Sequence, residues 1–297
     1  MPKVKEKIEN EIFSFYGGRI EIEKKKWGES FRYLRRDTGK GGMLSVTSCT
    51  KKLDKSDVLI KWAVGLVRTH ITSTVEANKA LTFSKDEVML IVDEAVLKPE
   101  EGKIKGGLAG DIIHNFAHDF AKAKIHKTAL PTIDHLDEKD EVQGKALNGI
   151  NAFLDWYNSN KVEFIEMEQL TYYNSELAGD KYVINGKDVV IEYFGILDLF
   201  ARVNGMLEVV DYKTSKGVYS DQRYQVSAYF KAKNSNSDLK NQAKNTLILN
   251  FGKETGDLIE KRIPAEEVEK DFKAFIGLQM VASREKELDE EYRASKK

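Results

Sequence analysis

The chain has 297 residues, 41% of them hydrophobic and 32% charged, with 47 Lys and Arg set against 48 Asp and Glu. Its single Cys49 excludes an internal disulfide, a four-cysteine iron–sulfur cluster and a cysteine-rich structural zinc site. A net charge of -1 excludes a polycation that holds nucleic acid by bulk charge and leaves room for a local basic groove alone. A chain of this size can bury roughly three-quarters of its unfolded surface and needs no staple. Its charged start, MPKVKEKIENEIFSF, has no apolar stretch behind it, and the longest apolar run, Val88 to Val92, is far too short to span a bilayer. A soluble, cytoplasmic protein without membrane contact, in a reducing setting, is expected.

In chain order, a short β region is predicted around Arg19 to Lys26. A helix follows, capped by Asp54 or Ser56, with Leu59, Trp62, Ala63, Leu66 and Val67 on one stripe. A second helix is predicted over Lys85 to Leu97; Gly106, Gly107 and Gly110 then break the chain before a third from about Asp111 to Lys124. A polar helix covers roughly Lys139 to Asn158. Beyond Asn160 the period drops to two, giving strands at Val162 to Tyr173, Lys181 to Ile184, Val189 to Val203 with a bend at Gly195, and Met206 to Thr214. Asp221 to Lys233 returns to helix, Thr246 to Phe251 and Asp257 to Ile263 to strand, and Ala265 to Glu290 is a charged terminal helix. This order predicts an α/β (α+β) fold with one central mixed sheet flanked by helices. Residues 1–105 would form an N-terminal β and helical elaboration able to make an arch or wall over a bound strand, and residues 106–297 the core with its C-terminal helix.

Chemistry concentrates where charge interrupts apolar strands. In Leu207-Glu208-Val209-Val210-Asp211-Tyr212-Lys213-Thr214, residues two apart share a face, so Asp211 and Lys213 project together. An Asp-x-Lys triplet is weak evidence alone; it occurs four times, at Asp137, Asp211, Asp238 and Asp271, but only the second follows an apolar β run. Asp198 interrupts a neighbouring strand, and a tight turn at Asn204-Gly205 would place Asp198 and Asp211 across a ladder from one another. Two facing carboxylates repel unless a cation lies between them, and Mg²⁺ or Mn²⁺ suits an oxygen-rich site. A solvated acidic pair is the competing reading.

This arrangement resembles the PD-(D/E)XK nuclease superfamily, within it the RecB-like exonuclease branch of phage and mitochondrial genome maintenance type. Gly110-Asp111-Ile112-Ile113-His114 is similar to the branch's helical motif, Glu168 to its acidic residue ahead of the Asp strand, and Gly195-Ile196-Leu197-Asp198 to its Gly-x-x-Asp. Asp211-Tyr212-Lys213-Thr214-Ser215-Lys216 is similar to the Asp-x-Lys core, and Gln225-Val226-Ser227-Ala228-Tyr229 to the Gln-x-x-x-Tyr helix; Ser45-Val46-Thr47 and Lys61-Trp62-Ala63 are similar to elements upstream. The match spans about Ser45 to Tyr229. The resemblance implies a restriction-endonuclease-like core and a metal-dependent DNA exonuclease. His114, Asp198, Asp211 and the Tyr212 backbone carbonyl would bind Mg²⁺ or Mn²⁺, and Lys213, whose pKa a nearby cation or burial could lower, would hold the attacking water. Glu168 would anchor a water or a second ion, with Glu163 and Glu166 as neighbours that a register slip would exchange for it. Gln225 and Tyr229, one helical turn apart, would orient Lys213 or a phosphate.

DNA, single-stranded or with a free end, is the expected partner, touched by Ser45, Thr47 and Lys216 and by Arg35 and Arg36 in a basic stretch with Lys24, Lys25, Lys26 and Arg32. Trp27, Phe31 and Tyr33 lie in the same stretch, where bases would stack. His114 and His118, four apart, have a zinc-binding spacing, but Asn115 stands where a zinc protease needs Glu; His118 is expected near the site or in solvent. A structure-specific or restriction-type endonuclease on the same core, and a non-catalytic nucleic-acid-binding protein, are the alternatives.

Overall fold

The computed structural model describes residues 11–28, 30–39, 41–78, 82–184 and 186–296, so the first ten residues of the charged start lie outside it. An antiparallel meander opens it: β1 (Glu11–Phe15), β2 (Ile20–Trp27) and β3 (Ser30–Arg35). Only β2 was expected. Its clean alternation buries Ile20 and Ile22, whereas β1 and β3 are largely exposed and show little period-two signal. The turn between β1 and β2 needs three successive positive φ angles, at Tyr16, Gly17 and Gly18.

Helix α1 (Val46–Thr50) is started by a reciprocal cap: the Ser45 hydroxyl accepts from Ser48 N–H, and the Ser48 hydroxyl accepts from Ser45 N–H. It drives Val46 and Cys49 into the core. Helix α2 (Ser56–Ala77) follows, then α3 (Lys85–His126), which runs unbroken for 42 residues. Two predicted helices are therefore one, and the boundary placed at residue 105 falls inside it. Ser84 and Glu87 cap its start, and Lys127 ends it in the left-handed region. Of the three glycines that read as breaks, Gly110 is a close-approach position, where a Cβ would lie 2.9 Å from Thr214 Oγ1, whereas Gly107 has open space around it; Gly102, earlier in the helix, faces Leu66 and Trp62.

After α4 (Glu141–Ser159) come β4 (Val162–Asn174), α5 (Ser175–Ala178), the small β5 (Tyr182–Ile184) and β6 (Lys187–Val189) hairpin, β7 (Glu192–Val203) and β8 (Met206–Lys213). Helix α6 (Ser220–Ser235), β9 (Asn245–Phe251), β10 (Leu258–Pro264) and α7 (Ala265–Ser295) complete the fold. The central sheet has the order β10-β9-β8-β7-β4, with β8 and β9 parallel and the other pairs antiparallel. This is a mixed α/β fold. Asn204 and Gly205, both with positive φ, make the two-residue turn that pairs β7 with β8.

Each sheet face buries its own core. On one side Val209 and Ile248 pack with Val226 of α6, Phe272 and Phe275 of α7, and Val46 of α1. On the other, Val210, Tyr212, Leu247 and Leu249 pack with Ile113, Phe116 and Phe120 of α3 and with Ile150 and Phe153 of α4. Among the described residues no helix is long and apolar enough to cross a membrane.

The α3 and α4 helices approach so closely that a Cβ on Gly149 would fall 2.3 Å from Ile113 Cδ1. Gly149→Ala is expected to destabilise the protein by about 1–3 kcal/mol through overpacking. Gly277→Ala, on α7 with nothing within 4 Å, is expected to stabilise it by about 0.5–1 kcal/mol through helix propensity. Urea denaturation midpoints of the two variants should therefore move in opposite directions.

Candidate active site

β7 and β8 pair from their turn as far as Leu199 and Val210, and there the ladder stops. The next residues in register are Asp198 and Asp211. Asp198 Oδ2 accepts the Tyr212 N–H at 2.8 Å, so a side chain takes the place of the missing backbone partner. In a regular strand Leu197 and Leu199 would share a face. Here they pack in opposite cores, so β7 changes face at Asp198. The bend expected at Gly195 thus lies three residues further on. Across the ladder, Met167 pairs with Leu199 and Gln169 with Leu197, which leaves Glu168 opposite Asp198. Glu168 has φ +45°, a left-handed conformation that costs a non-glycine residue about 1–3 kcal/mol and is held by the flanking pairs. Both strands are distorted at the two acids.

On β8, regular alternation sends Leu207 and Val209 to the α6 side and Val210 and Tyr212 to the α3 side, so Asp211 and Lys213 share the α6 face. Asp211 is 1% exposed, and neither of its oxygens has a hydrogen bond of good geometry. Lys213 Nζ stands 2.5 Å from Asp211 Oδ2 as an ion pair. Burial pushes the Asp211 carboxyl up to about 6; Lys213 opposes that rise and the neighbouring Asp198 adds to it. Asp198 is raised by burial too, against the pull of Lys213 and of the Tyr212 N–H. Burial works against the Lys213 charge, but Asp211 and Asp198 outweigh it and the ammonium is held above its ordinary value. The direction is opposite to the lowering expected from burial, because two carboxylates lie within reach.

His114 comes from α3 on the other side of β8, its ring edge-on to Tyr212 at 6.2 Å between centroids. Burial, then the Lys213 charge, lowers its pKa, so the imidazole is neutral and able to donate a lone pair. Gly110, one turn earlier, gives α3 room to pack on Thr214, and Lys253 Nζ fixes the preceding turn by donating to the Gly106 carbonyl at 2.7 Å. A cleft of about 50 Å³ opens between His114, His118, Glu168, Asp198 and Tyr212. His118 is drawn into the site's rim, its Nε2 lying 3.1 Å from Glu168 Oε2.

From α6, Gln225 Nε2 donates to the Tyr229 hydroxyl at 3.0 Å. Burial, reinforced by the Asp211 charge, keeps that phenol protonated, and Thr47 hydrogen-bonds to it as well. Gly195 makes this possible: a Cβ there would lie 2.5 Å from Tyr229 Cε1 and 2.8 Å from Val46 Cγ2. The structure therefore gathers His114, Glu168, Asp198, Asp211, Lys213, Gln225, Tyr229 and Thr47 around one end of the β7 and β8 pair. Of the three acids on β4, Glu163 pairs with Arg202 and Glu166 with Lys233; Glu168 faces the site.

The expected nucleic-acid contacts fare unevenly. Ser45 spends its hydroxyl on the α1 cap, and Lys216 is exposed three residues beyond Lys213. Arg35 is paired with Asp37 and Glu192, and Arg36 with Glu21, so neither presents an uncompensated charge. Tyr33 packs on Phe194, whereas Trp27 and Phe31 are exposed, with Arg32 3.9 Å and Lys24 4.6 Å from their rings. Sequence reasoning missed Asn250, a buried amide in register beside Lys213 whose Oδ1 has no partner. The signal was present: Asn250 interrupts an apolar strand as Asp198 does.

Among the described residues no cluster of three or more His, Cys, Asp or Glu side chains stands ready-made as a cation cage. The cation beside Asp211 is the Lys213 ammonium. The donor set nonetheless fits a hard divalent ion, since the Asp211 oxygens lack hydrogen bonds, Asp198 is adjacent and the His114 imidazole is neutral.

A carboxyl whose folded pKa lies above its ordinary 3.8 holds its proton more tightly in the folded state, so stability is lost as pH rises from about 4 through about 6. Asp211→Asn removes that component. In EDTA, the wild-type protein is expected to lose on the order of 2–3 kcal/mol relative to Asp211→Asn between pH 4 and pH 7. Parallel stability curves for the two proteins would contradict the assignment.

No family model and no curated protein matches the chain. A solved structure described as "Crystal structure of SSO0001" is similar over 73% of this chain and 86% of its own, at 14% identity and a TM-score of 0.27, too low to bear on fold or function.

Proposed function

We propose that this chain is a Mg²⁺- or Mn²⁺-dependent deoxyribonuclease of the PD-(D/E)XK type, on the RecB-like exonuclease branch, which hydrolyses phosphodiester bonds from DNA ends. The observation that supports it most is the buried Asp211 with the half-buried Asp198 next to it and Lys213 against it, where β7 and β8 part. A sealed carboxylate with a second acid beside it is costly to a fold even with an ammonium in place, which favours a use for it. A cation held by Asp198, Asp211, His114 and the Tyr212 carbonyl would act as a Lewis acid on the scissile phosphate and lower the pKa of a water.

The chain's own groups supply the rest. Lys213 is charged and is positioned to donate to an attacking water and to offset charge developing on the phosphate. With a divalent ion on the acids, Lys213 would be free of its pairing with Asp211 and able to reach a phosphate. Tyr229, protonated and fixed by Gln225 and Thr47, lines the same face as Asp211. Glu168 and His118 close the other side of the cleft, where a second water or ion would be anchored.

Asp211→Ala and Lys213→Ala should each lower Mg²⁺-supported hydrolysis of end-labelled linear DNA by at least about 100-fold with the circular dichroism spectrum unchanged. Full cleavage by either variant refutes the assignment, and degradation of closed circular DNA at the rate of linear DNA refutes the requirement for an end. With net charge -1 and Arg35 and Arg36 neutralised, few phosphates are gripped. The slope of log affinity against log salt should therefore be shallow, about -2 to -3, and a slope near -8 would count against the end-binding reading.

A further inference from the structure

About half of the large apolar side chains exposed among the described residues lie on α2 and the first half of α3. None of the 22 residues of α2 is buried. Its inner stripe, Trp62 and Leu66, meets α3 at Gly102, and His70 lies 3.5 Å from Glu94, so the two helices form an antiparallel hairpin. The outward side is apolar too. Ile60 and Val64 are 60% and 61% exposed, and on α3 Leu90, Leu97 and Ile104 are each more than half exposed. Those three recur every seven residues, the spacing of a helix seam that packs against another helix.

The charges between them narrow the occupant further. Residues 85–105 carry six acids and four lysines, an acidic excess that disfavours both a polyanion and an anionic bilayer surface. The uncovered apolar surface is on the order of 1,000 Å², larger than the patch an ordinary monomer exposes and above the roughly 800 Å² per partner of a stable interface. A two-helix hairpin with an apolar outer face is half of a four-helix bundle, and a second hairpin of the same sequence closes it about a two-fold axis. A net charge of -1 gives little long-range repulsion between copies, and the four lysines interspersed with the six acids of residues 85–105 offer opposite-charge pairs across a two-fold axis.

We infer that two copies of the chain pair through α2 and the first half of α3 into a four-helix bundle. The test is sedimentation equilibrium of the full chain from 1 to 100 µM. Wild type should sediment at twice the 33.8 kDa chain mass. The double variant Leu97→Glu with Ile104→Glu, at positions exposed in the single chain, should weaken self-association by at least about 100-fold with unchanged helical signal. Leu239→Glu, a large exposed apolar residue elsewhere, should leave the dimer intact. A single-chain mass for wild type across the range, a trimer or larger ring, a dimer that survives the double variant, or one that Leu239→Glu disrupts would each overturn the inference. None of these readouts involves DNA or metal, so the outcome is independent of the proposed activity.

Discussion

A carboxylate sealed from water has to be neutralised, and Asp211 is sealed by the best-packed part of the sheet, with Asp198 beside it. The fold answers with Lys213, two residues along the same strand, where alternation alone delivers an opposite charge to the same face. The cost of burying the acids is then spread over a proton affinity raised to about 6, one ion pair and one backbone N–H. Such a site is held away from its electrostatic optimum, with two carboxyls and one ammonium sharing a sealed corner.

Holding that arrangement requires backbone to come close where side chains would normally keep it apart. Gly195 lets the Tyr229 ring lie against β7, and Gly110 lets α3 bring His114 over Tyr212. Gly110 is four residues, one helical turn, ahead of His114, and Gly195 is three residues ahead of Asp198 on the same strand. The distortions at Asp198 and Glu168 belong to the same design: regular strands would have sent one acid into a hydrophobic core.

Much of this was legible in the residues. The Asn204-Gly205 turn fixed the β7 and β8 register, and hence which acids meet, because only a two-residue turn with positive φ at both positions suits the strand twist. Strand alternation put Asp211 and Lys213 together. What was not legible depended on contacts distant in sequence. Gly106, Gly107 and Gly110 read as helix breaks, yet α3 runs through them, with Thr214 and Lys253 packed beside Gly110 and Lys253 donating to the Gly106 carbonyl. Arg35 and Arg36 read as a basic patch because Glu192 and Glu21 reach them only through the folded meander and sheet. The direction of the Lys213 shift likewise followed from two acids, one of them on another strand.

The unbroken α3 has a mechanical meaning. Forty-two residues at 1.5 Å each make a rod of about 60 Å, with His114 seated in its inner third and the apolar hairpin at its far end. Its stiffness is not uniform. Pro99 removes a hydrogen bond, and the glycines at 102, 106, 107 and 110 thin out the side chains that brace neighbouring turns. Bending there is easiest, so a load applied to the outer end is taken up between Pro99 and Gly110, while the stretch that carries His114 stays seated against α4 and the sheet.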